Sequence, residues 1–157
     1  MLSALPTRAT AWGQAGRWTI TSALSALDFK ALAAFWQSDT GRKICANAGH
    51  VKRELPFTAR FTARELEALS FKVQEEGMDE EFVLVQGVAD LVVILKDEIW
   101  LLDFKTDNVN SKELEAKRKQ YEPQLKLYSL ALSRIYGRPV TNCWLHFLSC
   151  NKTVSLG

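Results

Sequence analysis

Three charged residues stand where the sequence is otherwise apolar. In FVLVQGVADLVVILKDEIWLLDFKTD, residues 82–107, two runs rich in Val, Ile and Leu are interrupted by Asp90, Asp103 and Lys105. Runs of that composition read as largely buried strands. A buried charge is costly unless it is paired or ligates a metal. The spacing narrows the choice. If Lys96-Asp97 is a two-residue hairpin turn, Leu95 pairs with Glu98 and Asp90 falls opposite Asp103. Opposed side chains have Cβ atoms about 5 Å apart. Two carboxylates that close repel each other, and a divalent cation between them removes the repulsion by taking their oxygens as ligands. Lys105, two residues past Asp103, projects from the same face. A one-residue slip of register would send one aspartate to the opposite face.

An Asp followed, after a short hairpin, by Asp-x-Lys is one answer to phosphodiester cleavage. Two acids can hold Mg²⁺ or Mn²⁺ through oxygen. The ion polarises a phosphate and acidifies a bound water. Lys105 can orient or activate that water, or neutralise charge building on the phosphate.

The elements that must position these residues follow from periodicity. Met1 to Trp18 has no clear period and reads as an irregular lead-in. Ile20 to Phe35 reads as a helix, with Ala23, Leu24, Leu27, Leu32 and Phe35 among its apolar positions. Asp39-Thr40-Gly41 is expected to break it, with a short helical turn from Lys43 to Ala48 ended by Gly49. Val51 to Thr62 alternates as a strand, and Pro56 argues for an edge position or an irregularity. A short helix is expected over Ala63 to Leu69, and an acidic solvated loop over Glu75 to Glu81. After the hairpin, Ser111 is positioned to cap a helix, and Pro123 is expected to kink it or start a new one. The helix runs to about Ile135, with Tyr121, Gln124, Leu125, Tyr128, Leu132 and Ile135 on one face. Gly137 and Pro139 end it. Val140 to Leu148 is a last strand, followed by a short tail. The order suggests an α/β fold, a mixed sheet flanked by helices.

Length and composition set wider bounds. The 157 residues suit one domain, residues 1–157, and 47% hydrophobic content suits a packed core. A net charge of +2 neither demands nor excludes a nucleic-acid partner. Cys45, Cys143 and Cys150 are odd in number and form no CxxC pair, which argues against a zinc site or disulfide framework. No apolar run is long enough to span a bilayer and the N-terminus has no signal-peptide pattern, so the expected location is cytoplasmic, away from membranes.

The hairpin and the segments around it resemble the nuclease domain of the AddA and RecB type, within the PD-(D/E)XK superfamily. GVADLV resembles the strand carrying the first metal aspartate. LLDFKTD resembles the signature D-Y-K-T-D, with Phe104 in place of Tyr. YEPQLKLYSLAL resembles the Q-x-x-x-Y helix motif, here Gln124 and Tyr128, and RELPF resembles an upstream strand carrying a glutamate, here Glu54. The likeness covers roughly residues 34–156. It implies a restriction-endonuclease-like fold and a Mg²⁺- or Mn²⁺-dependent exonuclease of double-strand-break repair and recombination. Asp90, Asp103 and the carbonyl of Phe104 would be metal ligands. Asp90, Asp103 and Lys105 would be catalytic, and Gln124 and Tyr128 would border the site and touch DNA. The partners it implies are the helicase part of a longer polypeptide and an AddB-like second subunit. The chain has no GxxxxGK[ST] and hence no ATP site of its own. The family's metal-binding histidine, within G-T-x-x-H on the first helix, has no match here, and Thr21 stands near its place. A nuclease-like fold without catalysis, used for DNA binding or subunit docking, is the alternative.

Other residues have plainer readings. Glu54 suits pairing with a nearby Arg or backbone group. His146, within an apolar strand, suits a satisfied core histidine. Lys112, Lys117, Arg118 and Lys119 suit a solvated helix face, or one that tracks phosphates. Trp12, Trp18, Trp36, Trp100 and Trp144 are too scattered for a base-stacking platform.

Overall fold

The computed structural model describes residues 29–72, 82–110 and 112–156. Their elements are α1 (Phe29–Gln37), α2 (Asp39–Cys45), a 3₁₀ turn (Ala48–His50), β1 (Val51–Thr62), α3 (Ala63–Ala68), β2 (Phe82–Ile94), β3 (Ile99–Lys105), α4 (Leu114–Tyr136), β4 (Val140–Phe147) and β5 (Lys152–Ser155). The strands form one sheet in the order β1-β2-β3-β4-β5. Every pairing is antiparallel except β3 with β4, which are parallel and joined through α4. This is the mixed α/β sheet with flanking helices expected of a restriction-endonuclease-like fold.

Alternation gives the central part of the sheet an apolar layer on each face, while Phe82, Leu84 and Val88 in the first half of β2 are exposed. On one face α4 packs Leu125 and Leu132 against Val92, Ile99, Leu101, Leu145 and Phe147. On the other, Phe35 of α1 and Ile44 of α2 pack against Leu91, Val93, Trp100, Leu102 and Trp144. A fully buried side chain of this size contributes roughly 1.5–3 kcal/mol. A third cluster holds the far end of the β1–β2 ribbon, with Phe57, Ala59 and Phe61 against Leu66 of α3 and Leu127 and Ala131 of α4.

The β1 bounds agree with the expected strand, and Pro56 lies on the sheet's edge strand. The hairpin register also agrees. Leu91 pairs with Leu102 and Ile94 with Ile99, and the Leu95 N–H donates to the Glu98 carbonyl. α3 opens with a capping box between Thr62 and Glu65.

Several expectations need correction. The break between the first two helices falls at Ser38 and not at Asp39-Thr40-Gly41, which opens α2, because Ser38 accepts the Gly41 N–H and caps it. Gly41 is there for packing, since a Cβ would come 2.2 Å from the Phe35 carbonyl oxygen. α2 ends at Cys45 rather than Ala48, and Gly49 lies within the 3₁₀ turn. Pro123 neither starts nor divides a helix: α4 runs through it unbroken. Ile135 is off the buried face of α4, at 46% exposure. The tail contains a strand, β5, which pairs with β4 from Trp144 to Phe147. The expected helix before Phe29, the acidic loop over Glu75 to Glu81 and the Ser111 cap lie outside the described residues, as do Thr21, Trp12 and Trp18.

Candidate active site

The site forms where β1 and β2 change the phase of their side chains. Ala89 and Val92 both face the α4 side, while Leu91 and Val93 face α1 and α2. Strict alternation would place Ala89 and Leu91 together. β1 does the same: Val51 packs on the α1 side, and Leu55, Phe57 and Ala59 on the α4 side. The turnover is centred on Glu54 and Asp90. Their flanking pairs, Arg53 with Leu91 and Leu55 with Ala89, are in register, but Glu54 and Asp90 themselves are not joined in the ladder. Glu54 takes a left-handed φ of 48°, which supplies the twist in β1. It is exposed, and among the described residues its side chain has no ion-pair partner, contrary to its expected structural pairing.

The same turnover separates β2 from β3. Their ladder ends at Leu91 and Leu102. The Phe104 N–H, which a longer ladder would pair with β2 backbone, donates instead to Asp90 Oδ2 at 2.8 Å. The Phe104 carbonyl leaves the strand on the same edge, so it too has no partner in that ladder. Asp90 is half-buried, and its register position is opposite Asp103. The hairpin therefore brings two carboxylates and one free-edge carbonyl to the point where the strands part.

Asp103 is buried at 4% exposure. Its Oδ2 lies 2.8 Å from Lys105 Nζ, yet has no hydrogen bond of regular geometry among the described residues. The pair lies along one strand and is not a cross-strand bridge. Burial pushes the Asp103 carboxyl above the usual carboxylate range; Lys105 works against this, and the charge of Asp90 adds to it.

Lys105 is enclosed by α4. Its ammonium donates to Gln124 Oε1 at 3.2 Å and lies 4.0 Å from the centre of the Tyr121 ring. Gln124 Nε2 donates to the Tyr128 hydroxyl at 3.3 Å. Tyr128 also meets Phe57 edge to face at 4.8 Å and lies against Gly87, where a Cβ would come 3.2 Å from its ring. Asp90, Asp103, Phe104, Lys105, Gln124 and Tyr128 thus form one connected group.

Two contributors are absent from the sequence reading of this group. Asp107, the last residue of LLDFKTD, accepts from the Tyr121 hydroxyl at 2.7 Å and from Lys117 Nζ at 2.8 Å. Tyr121 carried a signal, since it precedes Gln124 by three and shares its helix face. Other candidates lie apart. His146 is buried beside Phe35, on the opposite face of the sheet. Its Nδ1 bonds Thr153 at 2.9 Å but Nε2 has no partner among the described residues, so it is only half satisfied. Half of the basic cluster is neutralised: Lys117 pairs with Asp107, and Arg118 with Glu115 and Glu122, while Lys112 and Lys119 are exposed. The cysteines are free thiols.

The sequence matches the PD-(D/E)XK nuclease superfamily over residues 14–154. The chain belongs to that superfamily. It is 32% identical to the A subunit of the ATP-dependent helicase/nuclease of Listeria welshimeri over 130 residues, 79% of this chain and 10% of that protein. It is 37% identical to the protein of that name from Bacillus cereus over 131 residues, 78% of this chain and 10% of the relative. Against that of Carboxydothermus hydrogenoformans it is 34% identical over 130 residues, 82% of this chain and 10% of the relative. The chain spans about a tenth of the length of these curated relatives. Among the described residues no helix is long and apolar enough to cross a membrane.

Proposed function

We infer that this domain is a Mg²⁺- or Mn²⁺-dependent deoxyribonuclease acting at DNA ends, part of a helicase–nuclease used in double-strand-break repair and recombination. The observation that carries the reading is the opposition of Asp90 and Asp103 at a strand parting, with the Lys105 ammonium 2.8 Å from Asp103. The donor set suits a hard cation, since Asp90, Asp103 and the Phe104 carbonyl offer only oxygen. A bound ion would supply Lewis-acid polarisation of the scissile phosphate. The chain's residues do the rest. Asp103, buried and short of hydrogen bonds, is held ready to give up its Lys105 contact. Lys105 then donates to the phosphate oxygens or orients the attacking water. Gln124 fixes Lys105 from α4 and, with Tyr128, borders the path of the DNA. By the same reading the domain is a single unit of a longer cytoplasmic polypeptide with a helicase part, working beside an AddB-like partner.

The test is cleavage of single-stranded and duplex DNA ends with Mg²⁺ or Mn²⁺. Asp103→Ala and Lys105→Ala are each expected to lose roughly 10²–10³-fold in rate. Equal activity in all three proteins would remove the assigned site.

A second reading has one observation in its favour. The family's first-helix metal-binding histidine has no match in the sequence, where Thr21 stands near its place. A non-catalytic DNA-binding or docking module fits that. Duplex and single-strand binding without cleavage under any divalent ion would favour it.

A further inference from the structure

We propose that Tyr121 is a positioning residue for Lys105: its ring forms one wall of the ammonium's cage, and Asp107 and Lys117 lock that wall in place. The proposal rests on the nuclease reading for its kinetic consequence, but its geometry stands alone.

Lys105 has three polar or electron-rich neighbours, each from a different direction. Asp103 approaches along the strand at 2.8 Å, Gln124 from α4 at 3.2 Å, and the Tyr121 ring lies 4.0 Å away. An ammonium over an aromatic face is attracted by the ring's quadrupole, more so when water is excluded. Only 13% of the Lys105 side chain is exposed. A flexible four-carbon stem needs such walls, because a misplaced ammonium cannot serve a reacting phosphate.

The wall is itself fastened. The Tyr121 hydroxyl donates to Asp107 Oδ2 at 2.7 Å, and Lys117 Nζ holds Asp107 Oδ1 at 2.8 Å. The backbone of Asp107 is tied in turn: Ser149 Oγ donates to its carbonyl at 2.6 Å and accepts the Val109 N–H at 3.1 Å. Phe147 of β4 flanks the Tyr121 ring at 6.4 Å. The segment after β3, the loop after β4 and the first half of α4 therefore converge on one ring.

The experiment uses the whole chain with lysine carbon and nitrogen labelled, and compares wild type, Tyr121→Phe, Tyr121→Leu and Asp107→Asn. In wild type the Lys105 ε-methylene protons should carry an upfield ring-current shift. Tyr121→Leu should abolish it, while Tyr121→Phe and Asp107→Asn, which keep the ring but loosen it, should reduce it. In steady-state cleavage with Mg²⁺, Tyr121→Leu should lower kcat roughly 10- to 100-fold with KM within about twofold, and the two milder variants should fall between. An unshifted Lys105 in wild type, or a shift that survives Tyr121→Leu, overturns the proposal. So does full kcat in a Tyr121→Leu protein that has lost the shift. A wild type that cuts no DNA defeats the nuclease reading instead, and the ring-current comparison still decides whether Tyr121 holds Lys105.

Discussion

At the scale of single residues, the site is a balance of burial against charge. Asp103 is buried with one cationic neighbour, Lys105, and its carboxyl is pushed upward by that burial. Asp107 is the reverse. The hydrogen bond from Lys117, and then that from Tyr121, hold its carboxyl below the usual range. A depressed folded pKa gives stability that is present above the ordinary value of about 3.9 and is lost as pH falls through the folded value. Asp107→Asn should therefore unfold at lower urea than wild type at pH 7, and the gap should close as the pH drops below that ordinary value. A gap that persists unchanged in acid would show that charge is not what holds Tyr121. Asp90, Asp103 and Lys105 were legible in the sequence because charge in an apolar strand is conspicuous. Tyr121 and Asp107 were not, because an aromatic on a helix face and a polar residue after a strand are each ordinary, and only their meeting gives them meaning.

At the scale of elements, the informative feature is the turnover at Glu54 and Asp90. It frees the Phe104 edge for a carboxylate, and it depends on a left-handed residue that is not glycine. Such a conformation costs an L-residue about 1–2 kcal/mol. Glu54→Gly should therefore be about 1 kcal/mol more stable than Glu54→Ala in urea unfolding, whereas in regular strand the order is reversed. Equal stabilities would place no strain there. α4 makes a second case. It carries Pro123 in its interior, where the ring removes one helical hydrogen bond. The sequence alone suggests a kink or a new start there, and the helix overrides it because Leu125, Leu127, Ala131 and Leu132 bury its second half. Tertiary burial outweighs a single lost bond. Leu125→Ala, at a fully buried position, should cost roughly 2–5 kcal/mol by the same measurement. The hairpin register was readable because the two-residue turn admits one pairing. The phase change was not, since alternation read from a string of Val, Leu and Ala has no mark for a twist. β5 was missed because Lys152 to Ser155 is too short and polar to signal a strand before β4 is there to pair with it.

At the scale of the whole molecule, sequence family and architecture agree on a nuclease fold, and the relatives carry it as about a tenth of a much longer protein. The paired basic residues on α4 offer few free cations for DNA. The isolated domain should therefore bind DNA weakly with a shallow salt dependence, and a slope of log affinity on log salt near that of many phosphate contacts would contradict this. The most direct test of the central claim is calorimetric titration with Mn²⁺. The account predicts one saturable binding event in the wild type that weakens at least tenfold in both Asp90→Asn and Asp103→Asn. Isotherms that are the same in all three proteins would mean that the two aspartates do not share an ion.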